Sequence, residues 1–239
     1  MSFLLLLAAG LQAPAMVGHL TTARQARAQA PAHFGGDGQP QTNQRTNQQT
    51  KADDAEALYK AGAAQAGAGQ YKEAVESLRR AAELSPERAE VWNELGVSYD
   101  HLGRYKEAVE SFGRAVRLRP GFAEAHFNLG NALNDSGRHE DAAEAYKQAI
   151  GLDPRHARAH NNLGEAYYNM GRYREAADSF KKAVLLKPDD AWARYNLGMV
   201  YVETGDNDAA LEQHKALETL NPKLAREIYD LINKPVPTA

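Results

Sequence analysis

The side chains with the greatest chemical reach are the histidines and carboxylates, and their spacing decides whether they could act together. His139-Glu140-Asp141-Ala142-Ala143 opens like the zinc-protease helix, in which two imidazoles four positions apart bind metal and the glutamate serves as base. Its fifth residue is alanine, so the second imidazole is absent. His156 and His160 are four apart, a spacing that sets two ligands on one helical face. Pro154 breaks the helix just before them and leaves His156 to a turn. His126 and His160 recur at the place held by Trp92 and read as amphipathic packing residues at helix starts. With 0 cysteines the chain has no thiolate nucleophile, no thiolate zinc site and no disulfide. Its paired glycines lie seven residues apart, unlike those of a phosphate-binding loop. Charged pairs such as Lys72-Glu73 and Lys106-Glu107 read as solvated helix faces, as does the cluster Arg114, Arg117 and Arg119. These residues predict no enzyme, no metal and no cofactor.

The remaining composition points to a surface rather than a reaction centre. A hydrophobic share of 43% is enough for a buried core, and the dominance of Ala, Leu, Glu and Arg favours helix nearly throughout. Formal net charge is -3, and beyond residue 54 there are 24 basic against 28 acidic side chains, which argues against a nucleic-acid partner. Phe3 to Val17 is a fifteen-residue apolar stretch interrupted by Gln12 and Pro14, too short for a stable membrane span. It reads as part of a signal peptide over residues 1–28, with cleavage after Ala26-Arg27-Ala28, although the usual basic start is missing. An exported protein, periplasmic or secreted, is therefore expected; an uncleaved tail on a cytoplasmic protein is the alternative. Residues 29–54 are rich in Gln, Asn, Gly and Thr and read as a disordered linker, since so few apolar groups cannot offset the entropy of ordering.

From Ala55 the sequence repeats every 34 residues. Gly62, Gly96, Gly130, Gly164 and Gly198 share one phase; Gly69, Gly103, Gly137, Gly171 and Gly205 share a second, and Pro86, Pro120, Pro154, Pro188 and Pro222 a third. Ala74, Ala108, Ala142, Ala176 and Ala210 recur likewise, and Leu78, Phe112, Tyr146 and Phe180 form a bulky set. Each unit reads as two helices joined at the second glycine and ended by the proline. The first glycine and the alanines lack bulk, so the paired helices can approach while the large residues fill the space beside them. Trp92-x-x-Leu95-Gly96-x-x-Tyr99, followed by Ala108, Phe112 and Pro120, resembles the tetratricopeptide repeat signature. The resemblance covers residues 55 to 224 and implies an all-α, right-handed α-solenoid of tandem helix-turn-helix repeats. Its units are 55–88, 89–122, 123–156, 157–190 and 191–224. The end units depart from the pattern, with Gln65 in the tyrosine phase of unit one and Asn207 and His214 in aromatic phases of unit five, as capping units should. Leu224, Ile228, Leu231 and Ile232 then recur at helical spacing and predict a capping helix within 225–239, stopped by Pro235-Val236-Pro237.

In this family the first helix of each unit lines a concave groove, and the resemblance implies the same use here. Tyr59, Asn93, Phe127, Asn161 and Tyr195 precede the first glycines by three; Ala63, Val97, Asn131, Glu165 and Met199 follow them by one, on the same helical stripe. Asn128, Asn162 and Asn196 share one further phase, occupied by Lys60 and Glu94 in the first two units. An amide that both donates and accepts can hold the backbone of an extended peptide without reading its side chains. The set resembles the asparagine ladder in the tetratricopeptide part of protein O-linked N-acetylglucosamine transferases. Peptide-contacting residues are expected to be Asn128, Asn162, Asn196, Asn131, Phe127, Asn161, Tyr195, Trp192 and Met199. The expected function is a protein-protein interaction module, an adaptor or assembly factor holding a peptide or partner segment. A self-associating scaffold paired through the C-terminal repeat is the alternative, and an accessory to a glycosyltransferase or other enzyme a third reading.

Overall fold

Alanine, leucine and glutamate, punctuated by glycine and proline, produce helix after helix. The structure, a computed structural model, describes residues 39–233, with side chains from residue 47 onward. In chain order the helices are α1 (Gln39–Gly67), α2 (Tyr71–Leu84), α3 (Ala89–His101), α4 (Tyr105–Leu118), α5 (Ala123–Asp135), α6 (His139–Leu152), α7 (Ala157–Asn169), α8 (Tyr173–Leu186), α9 (Ala191–Glu203), α10 (Asn207–Leu220) and α11 (Pro222–Ile232). Among the described residues there is no strand. Residues 44–239 group as one compact unit and residues 1–43 as another. Within the larger unit each helix from α2 to α11 packs on the next, and α3, α5, α7 and α9 also touch in succession as an inner row. This is the all-α solenoid of helix hairpins that the 34-residue period predicts.

Two glycine registers build each hairpin. At the turns, Gly103 has φ +69° and Gly137 φ +77°, left-handed backbone that lets Arg104 N–H return to Tyr99 O at 2.9 Å and close the preceding helix. Inside the first helices, a Cβ on Gly96 would lie 2.6 Å from Phe112 Cε1, and one on Gly130 would lie 2.5 Å from Tyr146 Cε1. Both rings are 1% exposed, so the hairpin closes by seating an aromatic face on bare helix backbone. The proline register has a second use. Trp92 Nε1 donates to Pro86 O at 2.9 Å, the Nε2 atoms of His126 and His160 lie 3.0 and 3.2 Å from Pro120 O and Pro154 O, and Arg194 Nε donates to Pro188 O at 2.8 Å. These histidines fasten helix starts, and Arg194 takes the same post in unit five. His156 caps α7, its Nδ1 accepting from Ala159 N–H at 3.1 Å.

The last hairpin is closed differently. Ile228 of α11, fully buried, fills the space over Gly198 that an aromatic ring of the second helix fills in units two to four. His214, standing in the aromatic phase, turns to Ala225 O at 2.9 Å and so ties α10 to α11. At the other end, residues 39–54 continue α1, where a disordered linker is expected from composition. Side chains 47–54 are all exposed, so this part adds no core; once packing has nucleated the helix near Ala55, adding residues to its end costs little. The expected signal peptide, the first part of the linker and the tail beyond residue 233 lie outside the described residues. No described helix is long and apolar enough to cross a membrane.

Candidate functional site

The inner row positions every candidate residue in one of two clefts. Asn161, Trp192, Tyr195, Asn196 and Met199 line a cleft of about 470 Å³ between α7 and α9, together with Glu165, Tyr168 and Asn169. Phe127, Asn128, Asn131 and Asn162 line another of about 400 Å³, built by α3, α5 and α7 with Asp100, His101 and Arg158. Position on the helical stripe accounts for most of this. Phe127 departs from expectation: it is 5% exposed, held against Tyr146 and His156 at centroid distances of 6.0 and 4.7 Å. An aromatic ring at that depth forms the cleft floor rather than an open contact surface. Trp192, by contrast, is 62% exposed and meets the Tyr195 ring edge-on at 5.9 Å.

The ladder asparagines join neighbouring units. Asn128 Nδ2 donates to Asn93 Oδ1 at 3.1 Å, Asn162 Nδ2 to Asn131 Oδ1 at 2.9 Å, and Asn196 Nδ2 to Asn161 Oδ1 at 3.2 Å. Burial pushes the Tyr146 hydroxyl well up, so it stays protonated and donates to Asn131 Oδ1 at 2.9 Å. Each ladder amide therefore spans the seam between consecutive units through one of its two N–H groups. Among the described residues the Oδ1 atoms of Asn128 and Asn196 accept no hydrogen bond, whereas that of Asn162 accepts from Asn161 Nδ2 at 3.3 Å. Asn93, fully buried and outside the ladder phase, is the acceptor that sequence position alone does not single out.

Carboxylates from successive units share this face. Desolvation raises the pKa of half-buried Asp100 and, though both are exposed as residues, of Asp135 and Glu165, and Asp135 raises both of the others further by its charge; His101 beside Asp100 and His139 beside Glu165 act in the opposite sense. Asp100 Oδ1 is shut off from solvent and has no hydrogen-bond partner among the described residues. A raised native pKa means that the folded chain holds these protons more tightly than the unfolded chain. Stability is thus greatest while the groups are protonated and declines as pH rises from about 4 through the raised native values. Asp100→Asn, Asp135→Asn and Glu165→Gln together should raise Tm at pH 7. Solvent screening keeps the gain to roughly 2–4 °C, and it should vanish as the melting buffer approaches pH 4. A Tm difference that is the same at both pH values would contradict this electrostatic origin. Among the described residues no group of three His, Asp or Glu gathers as metal ligands.

The same architecture occurs in solved structures. A MamA crystal structure shares 27% identity at TM-score 0.65, covering 69% of this chain and 96% of its own. YrrB, described as a TPR protein with an unusual peptide-binding site, gives 22% identity and TM-score 0.67 over 79% of this chain and 97% of its own. PilF of Pseudomonas aeruginosa gives 21% identity and TM-score 0.63 over 77% and 89%. No curated protein matches the chain. The family model described as the Cilia and flagella-associated protein 70 C-terminal domain, a tetratricopeptide repeat domain, matches residues 6–227. With that match spanning nearly the whole sequence, on a stack of hairpins closed by the signature glycines and aromatics, the chain belongs to this tetratricopeptide repeat family.

Proposed function

We propose that the chain is a protein-interaction module whose first-helix face holds an extended peptide segment of a partner. One observation carries the reading: half-exposed amides and open aromatic side chains from successive units lie along two clefts on one face. YrrB, similar in fold, is described by its peptide-binding site, which agrees with this use. Three ladder amides, each contributing about 1 kcal/mol per net hydrogen bond, would by themselves support only roughly millimolar binding. The apolar anchor is then Trp192 with Tyr195 and Met199, since exposed aromatics that become buried dominate interface energies.

Phage-displayed random peptides selected on the full chain supply a probe, and a synthesised binder gives the affinity. Trp192→Ala should weaken that binder about tenfold or more, the scale of an interface anchor, while leaving Tm unchanged because the side chain is mostly exposed. Asn128→Ala, Asn162→Ala and Asn196→Ala together should weaken it as well, and should also lower Tm by several degrees, because each replacement removes a bond between units. Lys72→Ala, exposed on a second helix, serves as the control. Unchanged affinity in both groove variants would remove the clefts from binding.

A further inference from the structure

Ion pairing is uneven over the hairpins: on the first helices Glu56 pairs with Lys60 and Arg88, and Glu90 with Arg119. On the second helices, carboxylates recur beside arginines: Glu107 with Arg104, Asp141 with Arg138 and Glu175 with Arg172. On the inner row, Asp100, Asp135 and Glu165 come from α3, α5 and α7, and among the described residues none of them forms an ion pair with a lysine or arginine. Arg158, which lines the second cleft, sits 5.3 Å over the Phe127 ring and forms no ion pair with Asp100. Asp100 retains an oxygen that is closed to water and unpartnered among the described residues.

An aromatic surface beside these charges gives independent support. Elsewhere the protein covers ring faces with its own cations: Arg88 lies 4.2 Å over Tyr59 and Arg114 lies 4.4 Å over Trp92. Trp192, the most exposed aromatic of the clefts, has no such cation among the described residues, and it lines the same cleft as Glu165. An open indole face next to an unpaired carboxylate suits a guanidinium or ammonium group arriving on another chain. The carboxylates are distributed one per unit rather than converging on a point, which fits side chains spaced along an extended strand and not a single metal ion.

We propose that the segment held by this face is basic, its arginine or lysine side chains meeting Asp100, Asp135 and Glu165 and stacking on Trp192. This rests on the peptide-groove reading above and adds to it the charge of the ligand. The probe is a phage-displayed library of random peptides about twelve residues long, selected in parallel on the full chain and on its Trp192→Ala form. Peptides that depend on Trp192 should carry Lys and Arg in roughly twofold excess over Asp and Glu, because desolvated charge complementarity governs which partners are accepted.

A synthesised binder should lose about tenfold in affinity on the Asp100→Asn, Asp135→Asn, Glu165→Gln chain, and by a similar factor when its own Arg and Lys become Gln; added salt should erode the difference. Circular dichroism on that variant checks that helicity is kept. Trp192-dependent peptides that are neutral or acidic, or a basic binder indifferent to the three carboxylates, would overturn the inference while leaving the groove intact. A library from which the chain retains no Trp192-dependent peptide would overturn this inference, and the groove reading with it if the retained peptides are also indifferent to the three asparagine replacements.

Discussion

Cutting Ile228 back to alanine is expected to lower stability by about 2–5 kcal/mol and to open the solenoid from its C-terminal end. Ile228 is fully buried, and its Cδ1 lies where a Cβ on Gly198 would come within 2.9 Å. It packs with Leu217, Leu224 and Ala225, all at most 4% exposed, so the truncated site leaves a cavity under α11, the last described helix. Stability in a repeat array is approximately a sum over neighbouring interfaces, so the loss should be local. Hydrogen exchange should accelerate in α9, α10 and α11 well before α3 to α6. Uniform acceleration along the chain would show instead that the cap is coupled to the whole array. Since Trp192, Tyr195 and Met199 stand on α9, the same change should also weaken any peptide anchored there.

The second large effect has an unusual sign. Glycine to alanine inside a helix ordinarily stabilises by about 0.5–1 kcal/mol, through backbone entropy and helix propensity. At Gly130 the added methyl would stand 2.5 and 2.6 Å from Cε1 and Cδ1 of a buried tyrosine ring that cannot retreat. Overpacking of that kind costs about 1–3 kcal/mol or more, so Gly130→Ala should be a net loss. Gly113→Ala provides the matched control, since its Cβ would meet only Arg117 Nη1 at 3.5 Å, the far end of a flexible side chain. Urea melts of the two variants should therefore move in opposite directions. A stabilised Gly130→Ala chain would mean that Tyr146 and its bond to Asn131 can shift without cost.

The two variants act through different parts of the same design. Gly130 governs closure within a hairpin, whereas Ile228 governs closure of the last one by an element outside the repeat. The carboxylate replacements act on neither; they should raise stability at neutral pH while removing the charge proposed above to select a ligand. Such opposed effects are expected where a binding surface keeps groups that folding alone would not retain.

Much of the molecule was legible in periodicity. Three phased registers of glycine and proline place the turns and helix ends, because backbone freedom and a missing donor act on the residue itself and need no distant partner. The capping helix and the stripe facing the clefts were readable for a related reason: helical period alone sets which side chains share a face. What only the tertiary structure decided lies between units. That Asn128, Asn162 and Asn196 bond to Asn93, Asn131 and Asn161, that Phe127 sinks to the floor of a cleft while Trp192 stays open, and that Ile228 substitutes for an aromatic ring all depend on how far one hairpin is displaced from the next. The extension of α1 back to Gln39 belongs here too, because a polar tract becomes helical when a packed helix beside it has already met the cost of nucleation. A repeat period states which residues are equivalent; distances across the seam follow from side-chain packing, and those distances determine which amide groups are tied to the scaffold and which stay open.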